Sequence, residues 1–315
     1  MRILILGAGG MGGYFGGRLL EVGRDVTFLV RPRRAAQLAE RGLVIKSPCG
    51  DALIGSPPTV GAGQITAPYD LVVVGCKAYD LDDAIESIAP AVGENTAILP
   101  LLNGMNHLDR LEARFGARRV FGGVCLIAST LSERGEIVHL NDAHALVFGA
   151  RTSGEQARVE AISKAFSGAN FVARASAEIV LEMWEKWVFI ATLAGSTCLM
   201  RGAVGDIGAA GATPLIVAML DECRQIAERA GFAPRPDAVD RMMGFLTMTG
   251  SPLTASMLRD VEAGARVEAD HVLGDMLARA PQDWPQERSL LRLAYLHLKT
   301  YEARRQRVAA TPKAV

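Results

Sequence analysis

Arg2-Ile3-Leu4-Ile5-Leu6-Gly7-Ala8-Gly9-Gly10-Met11-Gly12 decides how this chain begins to fold. Residues 2–6 form a short continuous apolar run, as expected of a strand buried on both faces of a parallel sheet. The next six residues read G-x-G-x-x-G, and a helical stretch follows to about Val22. In such a strand–turn–helix each glycine has its own duty. Gly7 allows the tight turn, Gly9 lets a pyrophosphate approach the backbone, and Gly12 lets helix and strand pack closely. The helix that opens here offers unpaired N–H groups and the positive end of its dipole to phosphates. Gly7, Ala8, Gly9, Gly10, Met11 and Gly12 are therefore the expected cradle of a dinucleotide.

The next strand, Asp25–Val30, selects between dinucleotides. NAD sites carry an acid at its end, hydrogen-bonded to the ribose hydroxyls. Here the chain reads Val30-Arg31-Pro32-Arg33-Arg34, with no acid. Arg31 can set its fork against an adenosine 2′-phosphate, a charge-assisted contact worth roughly 1.5–3 kcal/mol, which points to NADP(H). Arg33 or Arg34 can share that contact, and a plain solvated basic loop is the other reading. Further apolar runs at 71–75 and 96–101, with a helix between them, continue the alternation. Lys77 and Asn103-Gly104 follow these runs directly. They fall at the strand ends where ligands of doubly wound folds bind.

The fold class expected is an α/β Rossmann-type doubly wound sheet domain followed by an all-helical C-terminal domain. Strand-like runs stop near Arg174, which divides the chain into residues 1–174 and 175–315. Polar stretches around 132–135 and 151–154 bracket hairpin strands at the far edge of the sheet, with His139 and His144 flanking a turn between them. The 34 basic and 34 acidic residues balance, which argues against a nucleic-acid binder. No apolar run reaches the ~18–20 residues of a membrane span. The five cysteines are scattered and the five histidines lack ligand spacing, so free thiols, no metal and a cytoplasmic setting are expected. Asp270 and His271 are expected to face solvent. Arg304, Arg305 and Arg307 belong to an exposed carboxy-terminal end whose last residues fray.

These pieces resemble a known family, the ketopantoate reductases (2-dehydropantoate 2-reductases). The matching residues are Gly7–Gly12, Arg31, Cys76-Lys77-Ala78, Leu102-Asn103-Gly104-Met105, Trp184-Glu185-Lys186-Trp187, and Ser256-Met257-Leu258-Arg259-Asp260 followed by Glu268. They stand in the family's order over about residues 1–305. The resemblance implies NADPH-dependent reduction of ketopantoate to pantoate in pantothenate biosynthesis. It implies that Lys186 protonates the carbonyl oxygen as hydride arrives and that Asn103 orients this lysine and the substrate near the nicotinamide. It implies Lys77 as a second lysine near the cofactor, Ser256 as a substrate ligand, and Glu268 as an acid assisting substrate binding and the lysine. An ammonium that is partly desolvated or beside another cation becomes a better acid near neutrality, which suits Lys186 in its apolar helix. A lysine between two tryptophans also suits a charge kept at the edge of a buried helix. The active site is expected where the two domains meet, in a monomer or homodimer.

Two features qualify the match. An unbroken helix from Ser256 to Glu268 would set them roughly 18 Å and about 120° apart, so a break at Gly264 is expected. The family carries asparagines four and eight residues after the lysine, where this chain has Ile190 and Ala194. That apolar pair suits a less hydroxylated or bulkier 2-oxo acid. The alternatives are thus a relative acting on another 2-oxo or 2-hydroxy acid, and an NADPH-binding sensor without turnover.

Overall fold

The apolar opening run forms β1 (Arg2–Leu6), with Ile3, Leu4 and Ile5 wholly shielded from solvent. The structure is a computed structural model that describes residues 1–310. Strands follow at β2 (Asp25–Leu29), β3 (Leu43–Lys46), β4 (Ala52–Ile54), β5 (Thr59–Val60), β6 (Leu71–Val74) and β7 (Ala97–Pro100). Five of them make a parallel sheet in the order β5-β2-β1-β6-β7. The strand order reverses between β1 and β6, which is where a doubly wound sheet opens its ligand crevice. Helices α1 (Gly10–Glu21), α2 (Pro32–Arg41) and α3 (Leu81–Ile88) lie between the strands in sequence, and α4 (Asn106–Phe115) follows β7.

α1 is held to the sheet by Tyr14, Phe15 and Leu19, all essentially inaccessible. Burying each contributes roughly 1.5–3 kcal/mol. The approach is close because Gly12 carries no side chain: a methyl there would run into the Gly7 carbonyl oxygen and meet Ile5 at 3.1 Å.

The remaining strands correct the expected edge hairpins. β8 (Phe121–Leu126), β9 (Ser129–Leu131), β10 (Ile137–His139) and β11 (Ala145–Ala150) precede α5 (Gln156–Phe166) and β12 (Val172–Ala175). β9 and β10 do form an antiparallel hairpin around 132–136, but within a separate sheet of order β4-β3-β10-β9. β11 belongs to a third sheet, β12-β11-β8. His139 and His144 therefore flank a crossing between sheets, because β10 finds its outer partner in β3 and β11 in β8. His139 accepts or donates to the Ser47 hydroxyl at 2.9 Å and His144 meets the Tyr14 hydroxyl at 2.8 Å. Burial, with His139 and Arg18 nearby, pushes the His144 imidazole below its ordinary value.

Met1–Leu102 and His107–Val180 form one compact unit, and Asn103–Asn106 with the chain from Leu181 onward form the other. Beyond β12 every regular element among the described residues is helical: α6 (Ile179–Met200), α7 (Val204–Ala209), α8 (Thr213–Arg229), α9 (Pro236–Leu246), α10 (Ser256–Glu262), α11 (Asp275–Ala278) and α12 (Leu290–Ala310). Two carboxylates, buried Glu185 and half-buried Glu222, fix helix ends. Glu185 of α6 accepts from the Arg235 backbone N–H at 2.9 Å and from its guanidinium at 2.8 and 2.5 Å, at the start of α9. Glu222 of α8 accepts from the N–H groups of Leu290 and Leu291 at 2.7 and 3.2 Å, capping α12. Arg304, Arg305 and Arg307 are exposed, as expected. The fraying expected after them concerns residues 311–315, outside the described residues.

The expected break is present. α10 ends at Glu262, Gly264 takes φ +66°, and the Ala265 N–H returns to the Asp260 carbonyl at 2.8 Å. This is a helix end closed by a left-handed glycine.

Gly12→Ala is expected to cost about 1–3 kcal/mol by overpacking and to lower the thermal unfolding midpoint by several degrees. Gly9→Ser, at a position with open space and a side chain suited to a helix N-cap, is expected to unfold like the wild type. Equal midpoints for all three proteins in calorimetry would show that the β1–α1 approach does not limit stability.

Candidate functional site

In the sheet unit the glycine turn has the conformation that phosphate binding needs. Gly7 takes φ +89°, and Gly9 is the N-cap of α1. A methyl built on Gly9 meets nothing within 4 Å, and no acid stands in the first turn of α1. Open space over unpaired helix N–H groups fits the pyrophosphate of a dinucleotide. Gly75, which the sequence reading took only as the end of a strand, packs against this turn from β6. Its own Cβ would lie 3.2 Å from the Gly12 nitrogen and 3.2 Å from the Leu6 carbonyl oxygen. The signal available was a glycine closing an apolar strand two residues before a candidate lysine.

Three basic residues near the turn differ in their surroundings. Arg31 caps α2 with its side chain 72% exposed, and its guanidinium lies 3.5 Å from Asp80 and 3.9 Å from Asp83. These carboxylates follow β6 and went unremarked in the sequence reading. Arg33 is exposed. Arg34 is partly buried and turned inward: its Nε donates to the Ala8 carbonyl at 3.0 Å and its Nη1 to the Gly135 carbonyl at 2.8 Å. Arg34 therefore clasps the glycine turn from outside. Lys77, three residues past the end of β6, is half-buried and stands at the N-cap of the short turn Ala78–Asp80.

In the helical unit one segment brings two of the other candidates, Asn103 and Glu268, to the same turn. Residues 103–106 belong to this unit although they follow a strand of the sheet. Asn103 is half-buried, and its backbone is hydrogen-bonded to His271. Gly104 takes φ +79°, and a methyl on it would lie 2.7 Å from the His271 carbonyl oxygen and 3.1 Å from its ring Cδ2. Only glycine meets both demands. His271 is 7% exposed, which corrects the expectation that it faces solvent. It lies in a single π-turn, Asp270–Gly274, where one residue in five points outward and its neighbour inward. Asp270 does face outward, and it accepts from Tyr295 at 2.7 Å and Lys299 at 2.9 Å.

Glu268 immediately precedes this turn, half-buried between Val267 and Ala269, and its carbonyl accepts the Val272 N–H at 2.9 Å. The Val272 carbonyl in turn accepts the indole N–H of Trp187 at 2.9 Å, beside Lys186 on α6. Lys186 is half-buried while Trp184 and Trp187 are 2% and 1% exposed, so its helix is rigidly seated. Of the two apolar replacements, Ile190 keeps partial exposure and Ala194 is buried at 3%. Ser256 opens α10 and is exposed, and among the described residues no hydrogen bond ties its hydroxyl to Lys186, Asn103 or Glu268.

Among the described residues no group of three or more His, Cys, Asp or Glu is placed to hold a metal ion, and no helix is long and apolar enough to cross a membrane.

Comparison with known proteins matches residues 3–153 to the model of ketopantoate reductase PanE/ApbA and residues 178–283 to that of its C-terminal domain. An oxidoreductase of Bacillus subtilis described as uncharacterized, YkpB, is 37% identical over 96% of this chain and 99% of its own. A 2-dehydropantoate 2-reductase of Pyrococcus horikoshii is 27% identical over 89% of this chain and 91% of its own. The crystal structure of a 2-dehydropantoate 2-reductase from Geobacter metallireducens superposes with a TM-score of 0.85 at 29% identity, covering 95% of this chain and 99% of that one.

Burial pushes the His271 imidazole below its ordinary value, although Glu268, Asp275 and the Asn103 backbone favour the charged ring. The unfolded chain, with a histidine pKa near ~6.5, then binds a proton that the folded chain refuses. Stability from this group is present above about pH 6.5 and is lost as the pH falls toward the lowered native value, at up to about 1.4 kcal/mol per pH unit. Urea unfolding between pH 7.5 and 5 is expected to be flatter for His271→Gln by that amount. Identical slopes in the two proteins would mean that the folded ring is not held neutral.

Proposed function

This chain belongs to the ketopantoate reductase PanE/ApbA family, oxidoreductases that act on 2-oxo acids with a nicotinamide cofactor, and we propose that it reduces a 2-oxo acid to the 2-hydroxy acid with NADPH. The bound cofactor supplies a hydride to the carbonyl carbon. The residues of the chain supply the rest. Lys186 gives the proton that the carbonyl oxygen needs as negative charge develops on it. The Asn103 amide orients the lysine and the substrate, and Glu268 assists binding of the substrate and of the lysine. Ser256 contributes a hydroxyl to the substrate, and Lys77 adds positive charge near the cofactor.

One observation carries this reading. Asn103 leaves a strand of the nucleotide-binding sheet yet packs in the helical unit, on the same π-turn that adjoins Glu268 and holds the Trp187 indole next to Lys186. Asn103 and Glu268, distant in sequence, thus adjoin one five-residue turn that also holds the indole of the residue following Lys186, which supports the reading. Preference for NADPH is supported by the end of β2, which offers Arg31 and no acid to the adenosine ribose. The 2′-phosphate would take over an arginine now paired with Asp80.

Ketopantoate is the first substrate of this reading. Ile190 and Ala194 favour a second, in which the same chemistry serves a less hydroxylated or bulkier 2-oxo acid. Each amide lost removes a hydrogen bond worth about 0.5–1.5 kcal/mol to a hydroxylated substrate.

Initial rates of NADPH and NADH oxidation with ketopantoate and a panel of apolar 2-oxo acids separate these readings. Lys186→Met is expected to lower kcat by about 10²–10⁴-fold while cofactor binding persists. Arg31→Ala is expected to weaken NADPH by about ten- to a hundred-fold and to spare NADH. Ile190→Asn should move the preference toward ketopantoate if that substrate lies along α6. A protein that binds NADPH but oxidises it with no 2-oxo acid is a sensor, and the proposal then fails.

A further inference from the structure

His271 sits where the two half-site segments of the helical unit meet. Its ring bonds the backbone of Asn103, and its carbonyl and ring edge form the wall against which Gly104 is pressed. The next residue, Val272, holds Trp187 through its carbonyl and Glu268 through its N–H. The turn itself is anchored from behind. Asp270 is gripped by Tyr295 and Lys299 of α12, and Gly274 abuts the Tyr295 ring, where a methyl would come within 3.0 Å. A π-turn costs helix regularity, and such turns are frequent at functional sites. Here it buries His271, Val272 and Leu273 while leaving Asp270 outside, and the Val272 carbonyl accepts the Trp187 indole.

We propose that His271 is the positioning residue of the active site, holding the Asn103–Gly104 loop so that the Asn103 amide stands in fixed register with Lys186 and Glu268. The inference rests on the reductase reading above and extends it to a residue that touches neither substrate nor cofactor. The physical argument is one of lost freedom. Asn103 lies just past a strand end and is followed by a glycine with a left-handed backbone, and no strand or helix fixes residues 103–105. A loop of that kind samples many orientations unless tertiary contacts remove them. The contact that does so here is a buried imidazole with a backbone partner. A misplacement of about 1 Å at a reacting centre can cost on the order of 10²-fold in rate.

His271→Phe fills the same space and cannot form the hydrogen bond. His271→Gln keeps a donor. Gly104→Ala pushes the loop off the turn from the other side, and it serves if His271→Phe does not fold. For His271→Phe and Gly104→Ala, kcat/KM for the best 2-oxo acid is expected to fall at least about tenfold, while the Kd of NADPH moves less than about twofold. Hydrogen–deuterium exchange of the peptide covering 101–106 is expected to quicken in both. His271→Gln is expected to restore most of the turnover and of the protection, a rescue that mere filling of the core would not produce. The proposal is overturned by wild-type exchange at 101–106 in His271→Phe, or by a glutamine variant as impaired as the phenylalanine one. If the wild type turns over no 2-oxo acid, the reductase reading fails by that result. The exchange measurement then decides separately whether His271 holds the loop.

Discussion

The near-contact of α1 with β1 at Gly12 is the constraint on which the nucleotide-binding unit depends. With no side chain between them, the first turn of α1 lies against the Gly7 carbonyl, and Gly75 lets the end of β6 approach as well, though less tightly. The helix N-terminus is thereby held at the carboxyl ends of β1 and β6, at the point where strand order reverses. Its N–H groups cannot all find partners within the helix, so they are left for a phosphate. One missing Cβ thus permits the close packing on which the proposed phosphate site rests.

The helical unit is organised on a different principle. Its elements are tied by well-partnered carboxylates: buried Glu185 by three donors of Arg235, and half-buried Glu222 by the start of α12. Such groups are costly when unpaired, so each defines its neighbour's position sharply even where its net stabilisation is small. α6 is seated in this way next to Lys186, and the π-turn is seated by Asp270. These positions are thus set by specific polar contacts, buried at Glu185 and at the surface at Asp270, as well as by apolar packing.

Charge around the glycine turn follows the same division between exposed and buried. Arg31, free to solvent, pairs loosely with Asp80 and Asp83 and can exchange partners at little cost. Arg34, partly desolvated, spends its donors on the Ala8 and Gly135 carbonyls. Two arginines three residues apart in one short basic run therefore differ in kind: Arg31 stays at the surface in loose ion pairs, and Arg34 braces the glycine turn.

Much of this was legible in the amino-acid sequence because it is local. The apolar run and glycine spacing dictate β1, the turn and α1. The absence of an acid after β2 and the helix end at Gly264 follow from single residues whose backbone or charge has one sensible use. What the sequence could not display were pairings across long separations: β10 joining β3 instead of β11, Asp80 facing Arg31, and Gly75 closing on Gly12. His271 was misjudged for the same reason. Its neighbours Asp270 and Glu268 are polar, and only the π-turn rotates the ring inward while Asp270 stays outside. The sequence by itself thus determined the elements and the chemical types at the site, since these depend on neighbours within a turn or two. Only the tertiary structure decided which of those groups meet. Burial and hydrogen-bond geometry arise from segments more than a hundred residues apart, as between Asn103 and His271, and no local preference encodes them.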